Sequence, residues 1–191
     1  LDLSYNDIGS GGAAALSRGL RSNSSLLQLC LCYCGLDETA AEPIGDALAF
    51  AKTSLIHVNL QGNRLGDEGL RLLCGGLERN SSLLELNLND NRIGSIPNSA
   101  ALRAMMTFGS CVQMHKSLAT LRLDHNALCS EVCDVLWPNL RDPQNSAKQH
   151  PRLKLVEVDA GLDVDPDVYA KLSVTGGGGG GKKKGKKKGK K

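Results

Sequence analysis

The 191-residue chain has few aromatic side chains: two phenylalanines, one tryptophan and three tyrosines. Its core must therefore be built from aliphatic side chains, and so few rings disfavour an interface that stacks on nucleic-acid bases. No stretch comes near the roughly 20 consecutive apolar residues that a transmembrane helix needs. These shortages exclude a transmembrane helix and favour a regular, leucine-based core.

The cysteine pattern of a small secreted domain is also missing. The seven cysteines are an odd number and follow no spacing typical of a small disulfide scaffold, which favours a reducing compartment. The chain begins at Leu1 with no Met and no signal peptide, so its N-terminus says nothing about targeting. We expect a cytoplasmic protein, with the nucleus or the cytoskeleton, including the axoneme, as alternatives.

The net charge of +3 combines two oppositely charged parts. The last sixteen residues, Gly176 to Lys191, are six glycines followed by KKKGKKKGKK. Without these eight lysines, 15 basic residues remain against 20 acidic ones, so a body of charge −5 carries a tail of charge +8. Glycine-rich and like-charged segments do not form a packed core, and we expect residues 173–191 to be disordered.

A repeated pattern, L-x-x-L-x-L-x-x-(N/C)-x-(L/I), dominates the rest of the chain. It occurs as LLQLCLCYCGL from Leu26, LIHVNLQGNRL from Leu55, LLELNLNDNRI from Leu83 and LATLRLDHNAL from Leu118. LDLSYNDI at the start lacks the first three residues of the unit, and LKLVEVDAGLD is a degenerate sixth copy. We call the N/C position the ladder position; it falls at Asn6, Cys34, Asn63, Asn91, Asn126 and Gly161.

Each unit predicts one strand followed by one helix. The last two leucines of L-x-x-L-x-L alternate onto one face of a short strand and point into the core. Between the strands, small and apolar residues recur every fourth position, as in Ala40, Ile44 and Leu48, and in Gly12, Leu16 and Leu20. A single unit cannot bury these faces, so the units must stack. The ladder side chain is expected to bond backbone groups left unpaired in the turn, with Cys34 as a weaker donor.

The unit length of 28 to 29 residues and the alternating Asn/Cys ladder resemble the leucine-rich repeat of the ribonuclease-inhibitor type. Ran GTPase-activating proteins, NOD-like receptors and axonemal leucine-rich-repeat proteins share this type. The resemblance implies an α/β solenoid, a curved horseshoe with parallel strands on the concave face and helices on the convex face. Residues 1–172 would form this domain, with five clear repeats and the sixth as a C-terminal cap. Because the first unit has no cap, we expect the chain to be the C-terminal fragment of a longer repeat protein.

Two units are 35 residues long and carry insertions. In the fourth unit the extra residues, Gly94 to Ala100, precede the helix. In the fifth unit they follow it, within RDPQNSAKQHPR, and both insertions are expected to protrude as loops. Pro138 should end or kink the fifth helix early.

The outward positions of the strands define a polar, mildly acidic surface. We predict that it binds a protein partner, as broad faces of rigid repeat stacks do. The acidic residues of this face are Asp2, Glu85, Asp124, Glu157 and Asp159, beside Arg122. The predicted partner-binding residues are Gln28, His57, Asn59, Gln61, Glu85, Asn87, Asn89, Thr120, Arg122 and Asp124.

Other chemistry is poorly supported by the sequence. Cys30, Cys32 and Cys34 form C-x-C-x-C, but zinc sites usually space cysteines by two to four residues, and Cys34 already fits the ladder. Asn23 and Asn80 match the glycosylation sequon, yet both follow a predicted helix, where Asn is favoured as a left-handed terminator. We predict no metal, no cofactor and no catalytic residue, and hence no enzyme activity.

The tail is a second candidate contact. Its lysines would attract an acidic polymer or surface, such as tubulin tails, nucleic acid or anionic lipid, in a salt-sensitive way. A nuclear import signal and a purely solubilising end remain alternatives. The predicted polyanion-binding residues are Lys182, Lys183, Lys184, Lys186, Lys187, Lys188, Lys190 and Lys191.

The sequence thus predicts a non-enzymatic scaffold that binds a partner protein on its concave face and touches an acidic surface through its tail. The family resemblance implies two alternatives. One is a GTPase regulator like the Ran GTPase-activating proteins, and the other is an inhibitor of a basic enzyme such as a ribonuclease.

Overall fold

The computed structural model of the protein describes residues 1–50, 54–94, 98–142, 145–149 and 152–158. The side chains of 141–142 and 145–149 are not part of this description. The sixth ladder position at Gly161, Asp159 and the lysine tail lie outside the described residues. The domain bounds 1–172 and 173–191 therefore stay predictions.

Helices and strands alternate from α1 to α5, as the repeat predicts. The helices are α1 (Gly9–Leu20), α2 (Glu38–Ala49), α3 (Gly66–Leu77), α4 (Ser99–Met114) and α5 (Ser130–Leu136). The strands are β1 (Gln28–Cys30), β2 (His57–Asn59), β3 (Glu85–Asn87), β4 (Thr120–Arg122), β5 (Arg141–Asp142), β6 (Asn145–Gln149) and β7 (Leu155–Glu157).

One open parallel sheet of order β1-β2-β3-β4-β7 runs through the stack. Its central residues are in register and buried, each at 4% exposure or less, because every strand turns this residue toward the helices. These residues are Leu29, Val58, Leu86, Leu121 and Val156. The predicted α/β repeat solenoid is confirmed.

The helical spacing of four residues identifies the buried faces of α2, α3 and α4. Ala40, Ile44 and Leu48 are all buried in α2. In α1 Leu20 is buried as predicted, but the other two positions were wrong by one, since Ala13 and Ser17 are buried while Gly12 and Leu16 are half-buried. This helix packs mainly against α2, so its buried stripe is turned toward that neighbour.

The ladder side chains bond the backbone as predicted. Asn63 Nδ2 donates to the carbonyls of Leu31, at 2.8 Å, and Leu60, at 2.7 Å, while its Oδ1 accepts from the amides of Cys34 and Leu36. Asn91 and Asn126 repeat the donor side of this arrangement, and Asn126 Oδ1 accepts two amides in the same way.

At the second ladder position, Cys34 Sγ donates to the Leu3 carbonyl at 3.2 Å. The ladder thus connects each turn to the one before it.

The insertions differ from the predicted loops. Asn98 caps α4 by accepting from the amides of Ala100 and Ala101, so the end of the fourth-unit insertion becomes helix and α4 reaches 16 residues. Residues 95–97 of this insertion lie outside the described part. In the fifth unit the inserted segment forms an antiparallel hairpin of β5 and β6.

Pro138 acts as predicted. Helix α5 ends at Leu136, and a 3-10 turn, Trp137–Leu140, contains the proline. The 3-10 geometry suits Pro138, because its missing N–H and ring disturb a continuing α-helix.

A second set of side chains caps the segments that lead into the strands. Asn80 Oδ1 accepts from the amides of Ser82 and Leu83, and its Nδ2 donates to the Leu48 carbonyl at 2.8 Å. Asn23 makes the same pair of acceptor bonds. Neither asparagine has a positive φ, so the predicted left-handed terminator is wrong, and the side chain makes an Asx turn instead. Because Asn80 is buried with its amide nitrogen bonded, it is unsuited to carry a glycan.

His115 takes the place of the asparagine in the fourth unit. Its Nδ1 accepts from the amides of Ser117 and Leu118, which requires the hydrogen to be on Nε2, and Nε2 is buried without a partner among the described residues. Burial, aided by the Arg152 charge, lowers the pKa of His115 from its ordinary value near 6.5.

This histidine makes the fold sensitive to acid. In the unfolded chain His115 takes up a proton near pH 6.5, whereas in the folded chain it does so only at lower pH. The free energy of unfolding should therefore be fully present above pH 6.5 and should fall as the pH drops below it. His115→Asn keeps the two acceptor bonds, as Asn80 shows, and we expect it to reduce the loss of stability between neutral and mildly acid pH. Denaturant titrations of both proteins at pH 7.5 and 5 measure this; an equal loss in the two would contradict it.

Candidate binding surface

The sheet face opposite the helices, here called the concave face, carries three aligned rows of side chains. The first row comes from the first residue of each strand and the second from the third residue, as the pairing of Gln28 with His57 and of Cys30 with Asn59 shows. Asp2 pairs with Cys30 and extends the second row by one unit. The third row follows directly after the strands, with Ser4, Cys32, Gln61, Asn89 and Asp124. All ten residues predicted to bind a partner lie in these rows.

Four charged or titratable side chains form a continuous network across this face. His57 Nδ1 lies 3.1 Å from Glu85 Oε2, and Arg122 Nε donates to Glu85 Oε1 at 3.0 Å. Arg122 Nη1 also donates to Glu157 Oε2. Each side chain remains about one-third exposed, so these contacts add little to stability, at most about 1 kcal/mol each. Their effect is to hold long side chains in fixed positions on an accessible surface.

The amide side chains of the face are partly committed to the backbone. Oδ1 of Asn59 accepts from the Gln61 amide, and Oδ1 of Asn87 accepts from the Asn89 amide. Asn87 is only 8% exposed, with its Nδ2 directed to Gln61 Oε1 at 3.4 Å. Oδ1 of Asn89 accepts from the amide of Asp124, in the next unit, at 2.8 Å. Asn87 is therefore a poor site for a binding variant, because replacing it would disturb the turn.

A shallow depression of about 380 Å³ lies elsewhere, between the ends of α3 and α4, and a second of about 260 Å³ lies on the concave face. The concave one is formed by the first two rows of β1 to β3. Its polar lining includes Gln28, Cys30, His57 and Asn59. This depression offers both hydrogen-bond donors and hydrogen-bond acceptors to a side chain from a partner.

Sequence reasoning missed an apolar row along the edge where the strands begin. Leu27 is 51% exposed and Leu84 is 40% exposed, with Ile56 half-buried between them. They all occupy the position after the first leucine of the repeat, and this shared position was a usable signal. Exposed apolar side chains beside polar rows are typical of protein interfaces.

It also missed two tyrosines at the opposite edge. Tyr5 and Tyr33 precede consecutive ladder positions, and their rings stack with centroids 5.3 Å apart and an interplanar angle of 10°. Two of only three tyrosines sharing one repeat position could have been noticed in the sequence.

The cysteines are free thiols. Cys34 is buried in the ladder, while Cys30 and Cys32 are partly exposed on the concave face. Burial, with the nearby Asp2 charge, raises the pKa of Cys30, which opposes thiolate chemistry. Within the described ranges, no group of three or more His, Cys, Asp or Glu residues is placed to hold a metal ion.

None of the helices that the structure describes has the length and apolar character needed to cross a membrane.

Comparisons with known proteins agree with the repeat pattern. A family model described as "Leucine Rich repeat" matches residues 1–17, 51–74 and 79–96. The chain is 29% identical over 85% of its length to NACHT, LRR and PYD domains-containing protein 3 of Mus musculus, of which it spans 15%. It is 33% identical over 73% of its length to the ribonuclease inhibitor of Sus scrofa, of which it spans 36%. The chain thus spans well under half the length of these relatives.

A solved structure of the leiomodin-1 actin-binding site 2 has the same fold. It matches with a TM-score of 0.55 over 73% of this chain and 79% of that chain, at 19% sequence identity. The ladder, the parallel sheet and the sequence relatives lead to the same assignment: the chain is a leucine-rich-repeat protein, with repeats of the ribonuclease-inhibitor type.

Proposed function

We propose that the protein is a non-enzymatic scaffold that binds a partner protein on its concave face. The observation that carries the proposal is the fixed network of His57, Glu85, Arg122 and Glu157, which lies on an open sheet face beside an exposed apolar row. Rigid polar groups next to accessible apolar side chains provide both specificity and buried area to a folded partner.

The fold supports a binding role more than a catalytic one. The groups on this face are mutually bonded carboxylates, amides and a guanidinium, and the partly exposed Cys30 has a raised pKa. No arrangement of nucleophile, base and orienting group is found among the described residues of the concave face.

The experiment compares two exposed ion pairs on opposite sides of the molecule. Arg122→Gln breaks the concave pair with Glu85, and Arg71→Gln breaks the pair with Glu68 on the surface of α3. Proteins captured from cell extract by the full chain are quantified for both variants, and the affinity of the protein most enriched is measured. We expect Arg122→Gln to weaken that affinity about tenfold and Arg71→Gln to leave it unchanged.

Glu85→Gln and Asp124→Asn extend the test within the concave face. If all three concave variants bind as well as the native chain, the concave face is not the binding surface. Circular dichroism of each variant keeps a folding defect from being counted as a binding defect.

The similarity to a ribonuclease inhibitor favours a second candidate, inhibition of a basic enzyme. The concave face carries Asp2, Glu85, Asp124 and Glu157 against Arg122, so its charge suits a basic protein. Ribonuclease A activity measured with increasing amounts of the chain tests this directly. A GTPase-regulating role is tested by the rate of GTP hydrolysis by Ran with and without the chain.

We further propose that the lysine tail, Lys182 to Lys191, adds a weak contact with acidic surfaces such as tubulin tails, nucleic acid or anionic lipid. Eight positive charges on a glycine tether would raise local concentration at such a surface in a salt-dependent way. Replacing all eight lysines with glutamine should abolish retention on immobilised polyglutamate at low salt. Retention that survives the replacement would assign the contact to another part of the chain.

The location follows from the same features. The free thiols support a reducing compartment, which we take to be the cytoplasm. The alternatives are the nucleus and the cytoskeleton, to which the tail would direct the chain. Fluorescence imaging of the tagged chain with lysine and glutamine tails distinguishes these sites.

A further inference from the structure

Five residues form a row where the chain leaves the sheet, one directly before each of the first five ladder positions. We call it the turn row: Tyr5, Tyr33, Gly62, Asp90 and His125. The backbone fixes each of the first four, since its amide donates to a carbonyl of the next unit, at 2.8 Å for Tyr5, Tyr33 and Asp90 and 3.0 Å for Gly62.

All five turn-row residues have positive φ, between 52° and 71°. Glycine adopts this region freely and aspartate tolerates it, whereas a bulky tyrosine is strained there. The turn therefore explains Gly62 and Asp90 but not the tyrosines. Tyr5 is also 78% exposed, so its ring adds little to the core. Two tyrosines at this position point to a role outside folding.

The two rings are held in place. Tyr33 lies against the backbone of Gly62, where any Cβ would overlap the ring, and its hydroxyl donates to Asp90 Oδ2 at 3.3 Å. Tyr5 stacks on Tyr33 with nearly parallel planes. The pair is thus a preorganised aromatic surface that joins the third row of the concave face.

We propose that the Tyr5–Tyr33 pair is an anchor for an arginine side chain of the protein partner that docks on the concave face. The inference rests on the proposed function, because it assigns part of the same interface. A guanidinium stacks on tyrosine rings and pairs with carboxylates, and the carboxylate of Asp90 is bonded to the Tyr33 hydroxyl.

The chain already contains this kind of contact. The Arg21 guanidinium carbon lies 4.7 Å from the centroid of the Phe50 ring, with Asp46 bonded to the same guanidinium at 3.2 Å. The turn row offers an equivalent aromatic ring and carboxylate with no arginine of this chain bonded to Asp90 in the described part.

The test uses two short peptides and ring resonances in NMR spectra of the full chain. The probes are acetyl-Gly-Arg-Gly-amide and its citrulline counterpart, which has the same shape without the charge. We expect the Tyr5 and Tyr33 ring signals to shift at least about fivefold more with the arginine peptide, while the Phe50 signals, already covered by Arg21, stay unchanged. Tyr5→Ala should abolish the shift at Tyr33, and Tyr5→Phe should keep it.

Equal shifts with both peptides would overturn the proposal in favour of an uncharged apolar anchor, and no shift with either would overturn it outright. Arg122→Gln separates this inference from the proposed function, because it should weaken partner binding and leave the peptide response intact. A negative peptide titration together with an intact effect of Arg122→Gln on the partner would reject the arginine anchor alone.

Discussion

Asn63→Ala should destabilise the protein by about 3–5 kcal/mol. The substitution leaves the buried amides of Cys34 and Leu36 and the carbonyl of Leu31 without their side-chain partner. The Leu60 carbonyl loses one of two bonds and keeps the one from Asn91 Nδ2. Each unpaired buried group costs about 1–3 kcal/mol, and Asn63 itself is only 3% exposed, so solvent replaces few of these bonds. Urea unfolding followed by circular dichroism measures the change.

The chain offers a matched control at the first ladder position. Asn6 donates to the carbonyls of Leu3 and Ser4 but is exposed, and Asn6→Ala should cost less than about 1 kcal/mol. Asn63→Cys should fall between the two, since Cys34 shows that a thiol can serve as donor but gives no amide oxygen. Equal costs for Asn63→Ala and Asn6→Ala would contradict the ladder as a main source of stability.

Gly76→Ala should have the second largest effect, a loss of about 2 kcal/mol. Helices α2 and α3 approach closely here, and a Cβ at Gly76 would overlap the backbone carbonyl of Gly45. Because the obstacle is backbone, the helices must separate, at an overpacking cost at the upper end of the usual range, about 3 kcal/mol. The gain in helix propensity, about 1 kcal/mol, offsets part of this cost.

The same substitution on the other side of this contact, at Gly45, should not destabilise the protein. A Cβ at Gly45 would meet its nearest atoms, Gly76 N and the carbonyl oxygens of Leu72 and Leu73, at 3.5 Å, an ordinary contact. Gly45→Ala should therefore be neutral or stabilise by up to about 1 kcal/mol through helix propensity. Thermal unfolding of both variants decides the matter, and destabilisation of both by the same amount would contradict this geometry.

The fold was predictable because its signals are local and repeated. The alternation around Leu29 and Val58 sets the sheet register, and the ladder asparagines recur where the turn needs a side-chain donor and acceptor. The insertions were less predictable. Inserted residues extend a helix after Asn98 and form antiparallel strands in the fifth unit. Which of the two occurs depends on tertiary contacts, and the repeat pattern does not predict them.

The residues of the concave face were predictable, but the bonds between their side chains were not. Period-two alternation places Glu85 and Arg122 on one face. Their bonds to His57 and Glu157, respectively, depend on the side-chain rotamers of residues in different repeats. The burial of Asn87 follows from its bonds to neighbouring turns. The Tyr5–Tyr33 stack depends on Gly62, in the unit after Tyr33, because a side chain there would overlap the Tyr33 ring. This relation cannot be seen within a single repeat.

The native cysteines allow the most direct test of the concave face as the binding surface. Cys30 and Cys32 are partly exposed on it, whereas Cys129, also partly exposed, precedes α5 away from the rows. The alkylation rate of each thiol is measured by mass spectrometry at constant pH, with and without the partner recovered in the capture experiment. Slower labelling of Cys30 and Cys32 with unchanged labelling of Cys129 is the predicted result, and protection of Cys129 alone would contradict the account.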